Sequence, residues 1–116
     1  MVETVKPSAL ALLLVTLAST DVLADTESDV LYLIDQMQTS SCTFIRNGKE
    51  HTGQEAADHL RRKWDYAKDD VTSTQVFIDE VASKSWFTGK AYQVVCADSS
   101  SSSADWLTQQ LKAKAN

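Results

Sequence analysis

The chain has 116 residues, of which 43% are hydrophobic and 23% charged, and its formal net charge is −5 at pH 7. This length suits one domain rather than two, and the ordinary composition argues against disorder. The mild acidity supplies no diffuse cationic field that would hold nucleic acid or anionic lipid, so we expect no nucleic-acid partner.

The first part of the chain, residues 1–24, is typical of a cleavable secretory signal peptide. Lys6 and the amino terminus are positive, residues 9–17 form a short apolar run, and Val22-Leu23-Ala24 offers small or aliphatic side chains ahead of the cut. The apolar run is too short to cross a bilayer, which requires about 20 apolar residues. We therefore predict cleavage near Ala24, a periplasmic or secreted protein, and no membrane span in the mature chain.

A helix is predicted over residues 27–39, with Thr26 capping its start. Leu31 falls outside its apolar stripe and is expected to be exposed. The residues of that stripe recur at helical spacing and are Val30, Leu33, Ile34 and Met37.

Residues 42–46 have the pattern of a short strand, and Asn47-Gly48 follows at once. This pair is a strong hairpin signal, because a type I′ turn needs positive φ at both central residues. Residues 49–52 then form the return strand. A two-residue loop fixes the register and places Phe44 opposite His51.

Thr52 is predicted to cap a second helix that runs to Ala67, with Glu55 completing a capping box. The basic run at residues 61–63 is interpreted as a solvated side of this helix, because helical geometry spreads neighbouring residues around the surface. The predicted buried stripe consists of Ala56, Leu60, Trp64 and Ala67.

A third helix is predicted over residues 74–84, and a strand over residues 91–96. Tyr92, Val94 and Cys96 share one face of that strand because side chains alternate along it. The bulky pair before this strand, Trp86 and Phe87, leaves two possibilities open. Either one of the rings is an exposed contact for a partner, or both wrap the edge of the core.

Residues 99–103 are five serines, a composition typical of a flexible linker. A C-terminal helix is predicted over residues 104–116. The element order α-β-β-α-α-β-α predicts an α+β domain over residues 25–98, with a small antiparallel sheet of about three strands covered by helices.

Cys42 and Cys96 form an even pair in a chain predicted to be exported, which indicates one disulfide. In the chain-entropy model such a bridge contributes roughly 4 kcal/mol. The alternative is a zinc site that adds His51 and His59. Its spacing matches no zinc pattern, because neither cysteine belongs to a close Cys or His pair. We expect no metal and no cofactor.

The disulfide also sets a register. If the two cysteines face each other on antiparallel strands, Phe44 pairs with Val94 and Arg46 lies opposite Tyr92. These side chains then share the face that the cysteines occupy. This inference depends on the last predicted strand pairing with the first.

A candidate ligand site follows from this register. The hairpin adds His51 to the face of Arg46 and Tyr92, and the second helix would bring Glu55 and His59 to its border. A guanidinium binds carboxylate or phosphate groups in a bidentate manner. In the alternative interpretation Arg46 is structural, stacked on Tyr92 or paired with Glu55.

Four segments, spread over residues 27–95, resemble the YfeK family of small exported bacterial proteins with a domain of unknown function. The resemblance implies a Gram-negative periplasmic protein and implies no activity. The matching positions are Phe44, Arg46, Asn47, Gly48, His51 and Thr52; Glu55, Ala56, His59, Leu60, Arg61 and Lys63; Phe77, Ile78, Asp79, Val81, Ala82 and Ser83; and Thr88, Gly89, Lys90, Tyr92 and Val94.

The sequence favours a non-catalytic binding or interaction module, whose partner would be a periplasmic protein or a small anionic ligand. The alternative is a small periplasmic hydrolase or cell-wall enzyme that uses His51, His59 and Glu55 for acid–base chemistry. Neither histidine has a nearby serine or free thiol suited to nucleophilic attack, and this favours the binding module.

Overall fold

A computed structural model describes residues 25–115, so the predicted signal peptide at residues 1–24 lies outside the described part of the chain. Within residues 25–115 the fold is α+β, as predicted, with four helices and an antiparallel sheet in the order β2-β1-β3-β4. The elements are α1 (residues 25–38), β1 (Thr43–Arg46), β2 (Lys49–His51), α2 (Gly53–Ala67), a 3₁₀ turn (Lys68–Asp70), α3 (an α-helical turn, Thr74–Val76, continued by a π-helix, Phe77–Ala82), β3 (Gln93–Cys96), β4 (Ser99–Ser102) and α4 (Ser103–Ala115).

The β1–β2 hairpin has the predicted turn and register. Asn47 and Gly48 both have positive φ, 51° and 79°, which a type I′ turn requires. Phe44 lies opposite His51. Thr52 then caps α2 through its side chain, and Glu55 completes the capping box.

The disulfide and the strand pairing deduced from it are both confirmed. Cys42 and Cys96 are bonded, with their Cα atoms 4.4 Å apart. Strands β1 and β3 are antiparallel, and Phe44 pairs with Val94. Because both cysteines are oxidised, they provide no thiolates for the zinc site considered above.

The hydrophobic core lies between one face of the sheet and the four helices. Phe44 and Val94 point into it from β1 and β3, while Val95 on the other face is exposed. Gly53 lets α1 and α2 approach closely, because a Cβ atom there would stand 2.3 Å from the carbonyl oxygen of Met37. The fully buried side chains that fill this core include Val30, Leu33, Ile34, Phe77, Ile78 and Leu107.

Two helical predictions need correction. Helix α1 already includes Asp25, so Thr26 lies within the helix and is buried instead of capping its start. The predicted third helix has one α-helical turn followed by the π-helix Phe77–Ala82. Its predicted core face is nevertheless correct, because the π-helix buries Phe77, Ile78 and Val81.

In the described part of the chain the sheet has four strands instead of about three, because the serine run predicted as a linker forms strand β4. Ser99–Ser102 pairs with β3 along its whole length. Helix α4 follows directly, and Trp106 and Leu107 are buried in the core. Backbone pairing decides this strand, and serine composition alone carries no signal for it. Within residues 25–115, no helix combines the length and the apolar character needed to cross a membrane.

Candidate functional site

A pocket of about 120 Å³ lies at the end of the β1–β3 pair that is opposite the disulfide. It brings together three of the five predicted site residues, Arg46, His59 and Tyr92. The other residues that line it are Asn47, Lys63, Ser85, Trp86 and Phe87.

Arg46 is the last residue of β1, and its guanidinium is half-buried in this pocket. Its Nη1 atom is buried and has no hydrogen-bond partner among the described residues. Burial lowers the pKa of Arg46, and the positive charge of Arg62 acts in the same direction. No ion pair joins Arg46 to a carboxylate within residues 25–115, so the predicted alternative of a pair with Glu55 is absent there.

His59 approaches Arg46 from helix α2, and its Nε2 atom is also buried without a partner among the described residues. Its ring meets Tyr92 edge to face, with the ring centroids 6.3 Å apart. Burial, reinforced by the positive charges of Arg46 and Lys63, lowers the pKa of His59 to about 4. The imidazole is therefore neutral at pH 7 and can donate or accept one hydrogen bond.

Lys63 is the site residue that sequence reasoning missed. The sequence predicts Lys63 on a solvated side of α2, but its side chain is only 6% exposed. Its ammonium donates to the backbone carbonyl of Lys84 at 2.8 Å and to the hydroxyl of Tyr92 at 3.2 Å. Lys63 follows the buried Leu60 by one helical turn, and this spacing was the available signal.

The Lys63 ammonium also lies over two aromatic rings. It is 4.4 Å from the ring centroid of Trp86 and 4.9 Å from that of Tyr92. Burial is the main cause that lowers the pKa of Lys63 to about 8, and the charge of Arg46 contributes. At pH 7 the amine is therefore mostly charged, so two cations face one small pocket.

The loop between α3 and β3 forms one wall of the pocket and carries two exposed aromatic rings. Trp86 is 45% exposed and Phe87 is 99% exposed, so neither ring plugs the core. The indole N–H of Trp86 donates to the carbonyl of Glu80 at 2.8 Å, within the π-helix. Glu80 lies in the last turn of this helix, where carbonyl groups have no partner within the helix, and its hydrogen bond fixes the orientation of the indole.

His51 and Glu55 lie nearby but do not share the cavity of Arg46. Both line a separate hollow at the start of α2. His51 Nδ1 is 3.8 Å from a carboxylate oxygen of Glu55. Burial, together with the charge of Arg46, lowers the pKa of His51, and a hydrogen bond from the Thr52 amide lowers that of Glu55. The acid–base set of the alternative enzyme is thus divided between two cavities.

The electrostatics of the pocket suit an anion. Arg46 and Lys63 contribute positive charge, and none of the described residues that line the pocket carries a carboxylate. Burial also raises the pKa of Tyr92, so its hydroxyl stays protonated and can donate a hydrogen bond. Among the described residues no group of His, Cys, Asp or Glu side chains could hold a metal ion.

Comparison with known proteins identifies the family. The model of DUF5329, a family of unknown function, matches residues 24–115. The chain belongs to this family. The uncharacterized protein YfeK of Salmonella typhimurium is 37% identical over 86 residues, which cover 73% of this chain and 72% of that protein. No solved structure matches the chain.

The resemblance to the YfeK family that four sequence segments indicated is confirmed. The family is one of unknown function and the Salmonella relative is uncharacterized, so neither supplies a ligand, a partner or a reaction for this chain. Any function of this DUF5329 chain has to be inferred from the chemistry of the pocket around Arg46.

Proposed function

We propose that this chain is an exported, non-catalytic binding module that holds a small anionic ligand in the Arg46 pocket. One observation carries the proposal: the buried Nη1 of Arg46 has no partner among the described residues. A buried polar atom without a partner opposes folding, so a ligand that accepts its hydrogen bond would be favoured strongly.

The surrounding charges support an anion in that position. Lys63 supplies a second cation, and Tyr92 supplies a hydroxyl that hydrogen-bonds this cation and keeps its own proton. An anion would gain charge-assisted hydrogen bonds here, which are stronger than those between neutral groups. It would also offset the repulsion between two cations that share the pocket.

The binding test compares two arginines. The purified protein is titrated with acetate and with inorganic phosphate at constant ionic strength, and binding is followed by NMR chemical shifts. Arg46→Ala should weaken anion binding at least roughly tenfold, because hydrogen bonds to charged groups contribute about 1.5–3 kcal/mol. Arg61→Ala is the matched control, since Arg61 pairs with Asp58 and does not line the pocket.

Thermal melts of both variants establish that they are folded. If Arg46→Ala is unfolded, Arg46→Lys replaces it, because this change keeps the charge and loses the bidentate geometry. Equal anion affinity in the wild-type and Arg46 variants would contradict the proposal. So would an equal loss in Arg61→Ala.

The exported location has its own support and its own test. The support is the apolar run at residues 9–17 followed by Val22-Leu23-Ala24, together with a disulfide, which persists in oxidising compartments. Mass spectrometry of the protein recovered from a periplasmic fraction should show a chain that starts at or near Asp25. A protein that retains Met1 and stays with the cytoplasmic fraction would contradict export.

A further inference from the structure

The rim of the Arg46 pocket suggests what the anion is attached to. Resting on the function proposed above, we infer that the pocket takes a carboxylate carried by an aromatic ring. The carboxylate lies inside beside Arg46, and the ring lies at the mouth against Phe87 and Trp86.

The pocket is large enough for a charged head group but too small for the remainder of a larger ligand. Its volume is about 120 Å³, whereas sites that enclose a drug-sized molecule have roughly 300 Å³ or more. Only a small charged group fits inside. The rest of any larger ligand must therefore lie on the rim, where the side chains determine what it can be.

The rim is aromatic and held in place. Phe87 lines the mouth and is 99% exposed, and Trp86 beside it is fixed by its bond to the Glu80 carbonyl and by the Lys63 ammonium. Tyr66, itself 83% exposed, extends this surface, with its ring centroid 5.9 Å from that of Trp86. Three neighbouring exposed aromatic rings are unusual on the surface of a monomeric protein and are typical of sites that contact a ligand or a partner.

The donors favour a carboxylate over a phosphate. A guanidinium binds either group in a bidentate manner, so the choice depends on the other donors of the pocket, which are single side-chain groups. Phosphate sites commonly add the backbone N–H groups of a helix N-terminus. No described residue that lines the pocket lies at a helix N-terminus, and the start of α2 is already capped by the side chains of Thr52 and Glu55.

The polar groups of the rim favour an aromatic ring over a sugar. Thr88 donates its hydroxyl to the side chain of Asn47 at 2.7 Å. The Ser85 hydroxyl oxygen accepts from the amides of Phe87 and Thr88. These groups largely satisfy one another, so the rim leaves few hydrogen bonds for the hydroxyls of a sugar, and an aromatic ring needs none.

The test is a ligand series measured on the full mature protein at constant ionic strength. The probes are acetate, benzoate, glucuronate, phenyl phosphate and benzyl alcohol. We expect benzoate to bind roughly tenfold more tightly than acetate, because ring stacking and apolar burial add to the carboxylate contact. Benzyl alcohol should not bind, because it lacks the charge.

Phe87→Ala sharpens the test, since this side chain is almost entirely exposed and its removal should leave the fold intact. The variant should reduce the ratio of benzoate to acetate affinity from roughly ten to near one. Leu31→Ala is the matched control, because Leu31 is another exposed apolar side chain that does not line the pocket. This control should retain the full preference for benzoate.

The outcomes separate this inference from the proposed function. Equal binding of acetate and benzoate, with both lost in Arg46→Ala, would overturn the aromatic ligand and leave the anion pocket standing. Tighter binding of glucuronate than benzoate would assign the rim to a sugar acid, and tighter binding of phenyl phosphate would assign the pocket to phosphate. Either result contradicts the inference. Absence of binding by every anion would overturn both proposals.

Discussion

The two ends of the β1–β3 pair differ in kind, although the same two strands form both. At one end Cys42 and Cys96 close the pair with a covalent bond. At the other end Arg46 and Tyr92 border a pocket with two cations, and Arg46 and His59 each carry a buried polar atom that lacks a partner among the described residues. The first end constrains the chain, and the second carries groups that oppose folding.

This difference separates stability from function within one small sheet. Burial lowers the pKa of Arg46, His59 and Lys63, which means that the protein environment disfavours their charged forms. Groups retained at such a cost are characteristic of functional sites. The stability that the disulfide contributes offsets part of this free-energy cost. Variants at either end of the β1–β3 pair therefore test the comparison.

The largest expected effect is at the disulfide end. Replacing both Cys42 and Cys96 by Ala should lower the free energy of unfolding by roughly 4 kcal/mol, because the unfolded chain is no longer constrained. For a domain of this size the melting temperature should fall by roughly 15 °C or more. Thermal melts with and without reductant provide the measurement. A change of only a few degrees would show that the bridge contributes little.

The second effect concerns the close approach of α1 and α2. Gly53→Ala should destabilise the domain by about 1–3 kcal/mol, because the new Cβ would collide with the carbonyl oxygens of Met37 and Ser40. Gln54→Ala is the control, since it alters an exposed residue of the same helical turn. Urea unfolding of both variants tests this expectation, and equal midpoints would refute it.

At the pocket end, stability should depend on pH through His59. Its pKa is lowered from 6.5 to about 4 on folding, mainly by burial. Between these values the unfolded chain binds a proton that the folded chain does not. The free energy of unfolding is therefore highest above pH 6.5 and decreases as the pH falls toward 4. His59→Gln should flatten the dependence over that range in chemical-denaturation curves. An unchanged slope would contradict the burial of this ring.

The smallest expected effect is at the rim. Phe87→Ala should change the free energy of unfolding by less than about 0.5 kcal/mol, because the side chain packs against almost nothing. Differential scanning calorimetry provides the check. A clear loss of stability would mean that Phe87 is structural and would remove it from the proposed binding surface.

The sequence was sufficient to predict the disulfide end in detail. Asn47-Gly48 determined the hairpin register. The requirement that Cys42 and Cys96 face each other determined which residues of β1 and β3 pair. These are local rules that act over two strands. They also identified Arg46, His59 and Tyr92, because residues on one sheet face and the adjoining helix must be neighbours.

The pocket end was less predictable because tertiary contacts decide it. Lys63 appeared to be a surface lysine, and only the packing of Trp86 and Tyr92 over its ammonium shows why it is buried. The serines of β4 have no intrinsic strand signal and become a strand by pairing with β3. The separation of His51 and Glu55 from the cavity depends on side-chain directions that strand parity does not specify.

The proposed ligand binds at the Arg46 end of the β1–β3 pair and not at the disulfide end. The most direct measurement is an NMR titration of the protein with benzoate, with chemical-shift changes mapped onto every backbone amide. We predict saturable changes clustered at residues 46–47, 59–63, 85–88 and 92, with none around Cys42 and Cys96. Changes that are absent, spread evenly over the surface, or centred on the hollow beside His51 would contradict ligand binding at the Arg46 end.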